Sequence, residues 1–182
     1  RFVAEQLDVV VATSAFGMGI DAPRVRLVVH WGMPPTPESY YQEAGRAGRD
    51  GQEARCILLH HAGDAEIHRR QLHVTFPPRK VLERLWGDPA SRPRHPRPVV
   101  AAADRLHAEL GGTTGDGGWH RVARRKAAAT ERLRVMEAYA TRPLCRRVML
   151  LGYFGEVSTG CGTCDICTRA TPRGIRRLLR VF

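Results

Sequence analysis

Strand and helix signals alternate along the first 75 residues, and a cysteine cluster sits in helical sequence late in the chain. Together they predict an α/β protein, a parallel-sheet lobe followed by a mainly helical, metal-binding subdomain. Charge separates the same two parts: residues 1–75 carry 8 basic and 9 acidic side chains, whereas residues 76–182 carry 21 and 9. Such segregation points the second part toward a polyanion, most often nucleic acid.

The elements follow in order. Residues 8–13, Asp-Val-Val-Val-Ala-Thr, form a β-branched run suited to a strand covered on both faces. A glycine-bearing turn follows through residues 16–21, then a short strand at 27–30. Thr36 is placed to cap a helix whose first turn holds Pro37 and Glu38, ending near Gly45. Residues 54–60 read as a third strand, in which Cys56 is expected to be a core residue. Asp64 is placed to cap the next helix, running to about Leu72. Composition shifts near Phe76-Pro-Pro78, and residues 92–98 form a basic, proline-rich connector. Helices are predicted over 99–110, from about 120 to 139, and over 144–153, with Pro143 separating the last two. The expected units are 1–75, 76–119 and 120–182. The tail at 175–181 is short, basic and amphipathic.

No apolar run approaches the roughly 18 residues that span a bilayer, and no signal peptide is visible, so a cytoplasmic location without membrane contact is the expectation. Five cysteines in such a setting favour metal or catalysis over disulfides. Four of them, Cys145, Cys161, Cys164 and Cys167, can present thiolates to one ion, with close spacing folding the last three back through tight turns. An iron–sulfur cluster is the rival, but such sites commonly end in Cys-Pro, and Cys167 is followed by Thr-Arg-Ala. Four protein thiolates leave a metal no open position for catalysis, so the site is read as structural.

The most specific string is Tyr40-Tyr-Gln-Glu-Ala-Gly-Arg-Ala-Gly-Arg-Asp-Gly51, with Ala12-Thr-Ser-Ala-Phe-Gly-Met-Gly-Ile-Asp21 upstream. The pair closely resembles motifs VI and V of superfamily 2 helicases, and the Phe-Gly-Met-Gly-Ile-Asp and Tyr-Tyr-Gln-Glu segments resemble the RecQ branch in particular. The cysteine spacing and the segment Arg146-Arg-Val-Met-Leu-Leu-Gly-Tyr-Phe-Gly-Glu156 resemble the RecQ zinc-binding region. The resemblance covers roughly residues 3–72 and 127–169.

It implies the second RecA-like helicase lobe, truncated at its start, followed by a structural Zn²⁺ site on Cys145, Cys161, Cys164 and Cys167. It implies an ATP-dependent 3′-to-5′ DNA helicase in which Arg49 is the arginine finger and Arg46 assists. A guanidinium brought to the γ-phosphate stabilises the charge that spreads over its oxygens during transfer. Gln42, one helical turn before Arg46, is expected to bind or sense nucleotide, with Gly19 and Asp21 near it. Thr13 and Ser14 are expected to touch DNA phosphates at the carboxyl end of a strand, with Gly17 and Gly19 letting that loop move. Arg146 and Arg147, beside Arg121, Arg124 and Arg125, are further candidates for DNA contact.

The lobe that holds ATP and Mg²⁺ is missing from the sequence: no Gly-Lys-Ser or Gly-Lys-Thr and no Asp-Glu dipeptide occurs. That first lobe is an expected partner in cis, and single-stranded, forked or junction DNA the expected ligand, at a bacterial nucleoid. Residues 76–119 look like an insertion. The competing reading is a non-enzymatic, zinc-dependent DNA-binding module derived from a helicase.

Overall fold

A computed structural model describes residues 7–13, 22–112 and 116–168. Strands β1 (Leu27–His30) and β2 (Arg55–Leu58) pair in parallel, with Leu27 opposite Arg55 and His30 opposite Leu58. Parallel neighbours need a crossover, and α1 (Pro37–Ala44) lies within it. The sequence starts that helix as expected. Thr36 is extended and its hydroxyl accepts from the Ser39 amide at 3.2 Å, while Pro37 occupies the first turn, where its missing N–H is not needed. Then come α2 (Asp64–Thr75), α3 (Arg79–Gly87), a 3₁₀ turn (Pro89–Arg94), α4 (Arg97–Glu109), α5 (Asp116–Thr141), α6 (Arg146–Tyr153) and α7 (Asp165–Thr168). Parallel lobe first and helical region second is the predicted fold class.

Two hydrophobic clusters organise the helices, and both lie on α5. Leu82 and Leu85 of α3, Ala103 and Leu106 of α4, and Val122 of α5 form one, with Phe76 and Leu110. Residues 76–112 are thus a packed helical unit. Its Trp86 stacks on Trp119 of α5 at 5.2 Å and donates to the Ala103 carbonyl at 3.0 Å. The second cluster joins Met33, Tyr40 and Ala65 of the lobe to Leu133, Met136 and Tyr139 of α5. Leu72 of α2 packs against both.

Three local expectations are corrected. Residues 8–13 take no strand conformation and are not covered: Val9 is 74% and Val11 88% exposed. A strand is held by its ladder and by burial of its side chains, and no described strand pairs with this segment. Cys56 is exposed rather than in the core, because β2 has only β1 beside it among the described residues. Its Sγ donates weakly to the Ala44 carbonyl at 3.4 Å. Asp64 does not cap α2; Gly63 holds that position and makes no side-chain cap. Instead, one Asp64 oxygen accepts from the Met33 amide at 2.9 Å and the His61 amide at 3.1 Å, tying together the loops that leave β1 and β2. Burial opposes its charge, but these N–H groups hold the carboxyl below the usual range.

Candidate nucleotide-facing turn and metal centre

Helix α1 ends at Gly45, and the chain turns through residues 45–51 before entering β2. Gly48 makes the turn possible. It adopts φ +65°, and a Cβ there would lie 2.8 Å from the Gln52 carbonyl oxygen and 3.1 Å from Ala54 Cβ. Its amide donates to the Val25 carbonyl at 2.9 Å, and Arg26 pairs with Asp50, so the turn is tied to the segment entering β1. Arg26 is the main cause holding the Asp50 carboxyl below its ordinary range. The turn presents Arg49 exposed, its Nε 3.3 Å from the Gly45 carbonyl, and Arg46 half-buried. Gln42 is exposed on α1. The structure therefore brings Gln42, Arg46 and Arg49 to one helix end. Thr13 is exposed, whereas Ser14, Gly17, Gly19 and Asp21 lie outside the described residues, as does the tail at 175–181.

The underside of α1 is braced. Tyr40 is buried between His30 and Tyr139, its ring centroid 4.9 Å from each. Tyr153 of α6 donates to Glu38 at 2.6 Å, Tyr41 packs on Phe154 at 5.1 Å, and Arg69 of α2 pairs with Glu137 of α5 at 2.7 Å. His30 Nε2 lies 2.9 Å from a Glu43 oxygen, a contact that becomes an ion pair only when the ring is protonated. Burial lowers the His30 pKa against the pull of Glu43, which favours the neutral ring at pH 7.

In the helical region the four sulfurs converge, all within 4.8 Å of one another. Cys145 Sγ lies 3.6 Å from Cys161 and 4.0 Å from Cys164, and Cys161 lies 4.0 Å from Cys167. Four sulfurs about 2.3 Å from one tetrahedral ion are ~3.8 Å apart, whereas a disulfide would bring two of them to about 2.05 Å. The donor set fits a structural Zn²⁺. Cys145 sits at the N-cap of α6, and Gly162, at φ +67°, turns the chain so that the Cys164 amide donates to Cys161 Sγ at 3.2 Å. The Thr163 amide is the first cause lowering the Cys161 pKa to about 6, and the Val148 amide likewise lowers that of Cys145, favouring the thiolates that a metal needs.

Arg146 belongs to this centre's frame. Its fork donates to both Asp165 oxygens at 3.0 and 2.8 Å, and its remaining nitrogen donates to the Arg142 carbonyl at 3.2 Å and to that of Tyr139. One side chain thereby joins the last carbonyls of α5 to the start of α7. Expected at a DNA surface, its guanidinium is committed inside the fold, while Arg147 next to it is exposed. Sequence reading missed the brace and this clamp. The signal for the clamp was adjacency, since Arg146 follows one cysteine ligand and Asp165 another.

The chain matches the helicase conserved C-terminal domain over residues 1–51 and the RecQ zinc-binding domain over residues 113–168. It belongs to the RecQ family. It is similar to the ATP-dependent DNA helicase RecQ of Pasteurella multocida, 33% identical over 168 residues that span 91% of this chain and 19% of that protein. It is similar to the RecQ-like DNA helicase blm-1 of Caenorhabditis elegans, 33% identical over 174 residues, 92% of this chain and 13% of that one. With the ATP-dependent DNA helicase RecQ of Bacillus subtilis, identity reaches 55% over 69 residues, 38% of this chain and 12% of that protein. The chain thus spans at most a fifth of the length of these RecQ relatives.

Proposed function

We propose that the chain is the second motor lobe and zinc-binding region of an ATP-dependent 3′-to-5′ DNA helicase, acting on single-stranded, forked or junction DNA at the nucleoid. ATP and Mg²⁺ are held by a first lobe, and the chain supplies the groups that meet them from across the cleft. Arg49 is the finger, Arg46 assists, and Gln42 with Gly19 and Asp21 reads the nucleotide. Thr13, Ser14 and Arg147 contact DNA phosphates. The observation that carries this reading is the exposed Arg49 and half-buried Arg46 on a turn that Gly48 alone can make.

When ATP closes the cleft, charge spreads over the γ-phosphate oxygens, and a guanidinium held there without reorganisation lowers the barrier. The brace supports that geometry from below, because α1 cannot tilt without parting the Tyr40 ring from that of Tyr139. In a protein that joins this chain to its phosphate-binding lobe, Arg49→Ala is expected to lower kcat for ATP hydrolysis about 10³–10⁵-fold, with nucleotide affinity little changed. A wild-type kcat in that variant overturns the assignment. The separate chain is expected to show no DNA-stimulated ATPase.

A non-enzymatic zinc-dependent DNA-binding module is the second reading, favoured by the excess of cations in residues 76–182. It predicts DNA affinity that is the same with and without nucleotide in the joined protein.

A further inference from the structure

Residues 76–112 have a core of their own, and the charges on their surface are unevenly satisfied. Their four acidic side chains are all engaged: Glu83 pairs with Arg79, Asp104 with Arg92 and Glu109 with Arg125, and Asp88 caps the Ala90 amide. Among the described residues five cations have no ion pair, Lys80, Arg84, Arg94, Arg97 and Arg105, and all are exposed. The unit's surface therefore carries both signs, with its four acidic groups engaged and an excess of cations left over.

Helix geometry places these cations away from the core. On α3 the core residues are Leu82 and Leu85, and Lys80 and Arg84, four apart, lie on the opposite side. On α4 the core residues are Ala102, Ala103 and Leu106, and the outward face reads Arg97, Ala101, Asp104, Arg105, Ala108, with Asp104 held by Arg92. The alanines keep that face slim, so a large, flat polyanion can approach the helix between its arginines. The two arginines lie about 12 Å apart along the axis. Arg97 also opens α4, where a cation works against the helix dipole, so its position is not one that folding favours.

We propose that residues 76–112 form a docking surface for the phosphate backbone of duplex DNA, with Arg97 and Arg105 of α4 as its centre. A duplex fits better than an unpaired strand. Strands are gripped by exposed aromatic rings that stack on bases, and this unit keeps its rings inside: Phe76 is buried, and Trp86 stacks on Trp119 and packs at a tilt against His107. What it offers outward is charge without base readout, the chemistry of backbone contact. The proposal stands apart from the motor reading, because it concerns binding in the absence of nucleotide.

The test is fluorescence anisotropy of a labelled mixed-sequence duplex with the full, zinc-loaded chain across a salt series. The variant R97A/R105A should bind roughly tenfold or more weakly and lower the log–log salt slope by about two. R97K/R105K should restore most of the affinity, since a phosphate contact needs a point charge, and this separates lost charge from lost fold. Wild-type affinity and slope in the alanine pair overturn the proposal. So does a deficit confined to single strands, or an acidic polypeptide that competes as well as duplex at equal charge.

Discussion

Helix α5 supports two different neighbours, one on each half. Its first half, through Trp119 and Val122, holds the unit at residues 76–112 by stacked rings and aliphatic packing. Its second half, through Leu133, Met136 and Tyr139, holds helix α1, which leads into the turn bearing Arg46 and Arg49, and there apolar packing is supplemented by directed contacts: Tyr153 to Glu38, Arg69 to Glu137 and Arg146 to the end of α5. Hydrophobic burial is non-directional and tolerates small shifts, whereas hydrogen bonds fix an orientation. Among the described residues the second half carries more of them, whereas the first joins its unit through one ion pair, Arg125 with Glu109. The proposed phosphate surface, acting by charge, demands less precision than the proposed arginine finger.

The largest way to break this contrast is to remove the metal. Apparent zinc affinity in small structural sites is on the order of 10–16 kcal/mol. Chelation, or Cys164→Ser, should leave residues 145–168 protease-sensitive and release the α6 contacts on α1, while the 76–112 unit remains folded. Proteolysis with mass mapping, together with zinc content, checks this. Unchanged zinc and melting in the serine variant would refute the structural role, and simultaneous loss of both halves would refute their separation.

Single core truncations come next. Met136, fully buried, anchors the α1 half, and Leu85 anchors the other. Each change to alanine should cost about 2–5 kcal/mol in denaturant unfolding. Sites without shared partners add to within about 0.5 kcal/mol. A clear departure from additivity would mean that Leu72 and the continuous α5 couple the clusters.

Arg146→Lys is a sharper probe. Lysine keeps the charge but cannot grip both Asp165 oxygens and the α5 carbonyls at once. Loss of groups that orient metal ligands typically lowers metal affinity about 10–100-fold. Competition with a chromogenic chelator should show such a decrease, with stability lower by about 1–3 kcal/mol. If DNA affinity fell while zinc affinity held, Arg146 would return to the nucleic-acid surface where the sequence had put it.

Legibility in the sequence followed the range of the interactions. The Thr36 cap, the glycine-bearing turn with Arg46 and Arg49, and the four cysteines are local patterns, and each is found where the pattern placed it. Cys56 and residues 8–13 failed for one reason: an apolar run states what a strand wants to bury, not whether a neighbour is there to bury it. The tilted ring contact of Tyr40 with Tyr139 joins residues 99 apart and is invisible to any sequence window. The surroundings of Asp64 fit a cap, but its carboxylate is taken by the His61 amide three residues back and by the Met33 amide 31 residues away, and only the first of these is local.

The smallest expected effect concerns the contact between Tyr153 and Glu38. Burial, and then Glu38, push the Tyr153 pKa up to about 12; burial opposes the Glu38 charge, yet the Tyr153 hydroxyl holds that carboxyl below its ordinary value. Raised in the folded state, Tyr153 contributes stability that is fully present below the ordinary tyrosine value near 10 and is lost as pH rises through about 12. Depressed in the folded state, Glu38 contributes stability that is present above the ordinary glutamate value and is lost as pH falls through its lower folded one. Tyr153→Phe should therefore cost about 1 kcal/mol near neutrality and flatten both limbs of the stability–pH curve. In the zinc-loaded chain, equal alkaline slopes for variant and wild type would show that this hydroxyl does not fix α1, and would leave the packed rings of Tyr40 and Tyr139 as the brace.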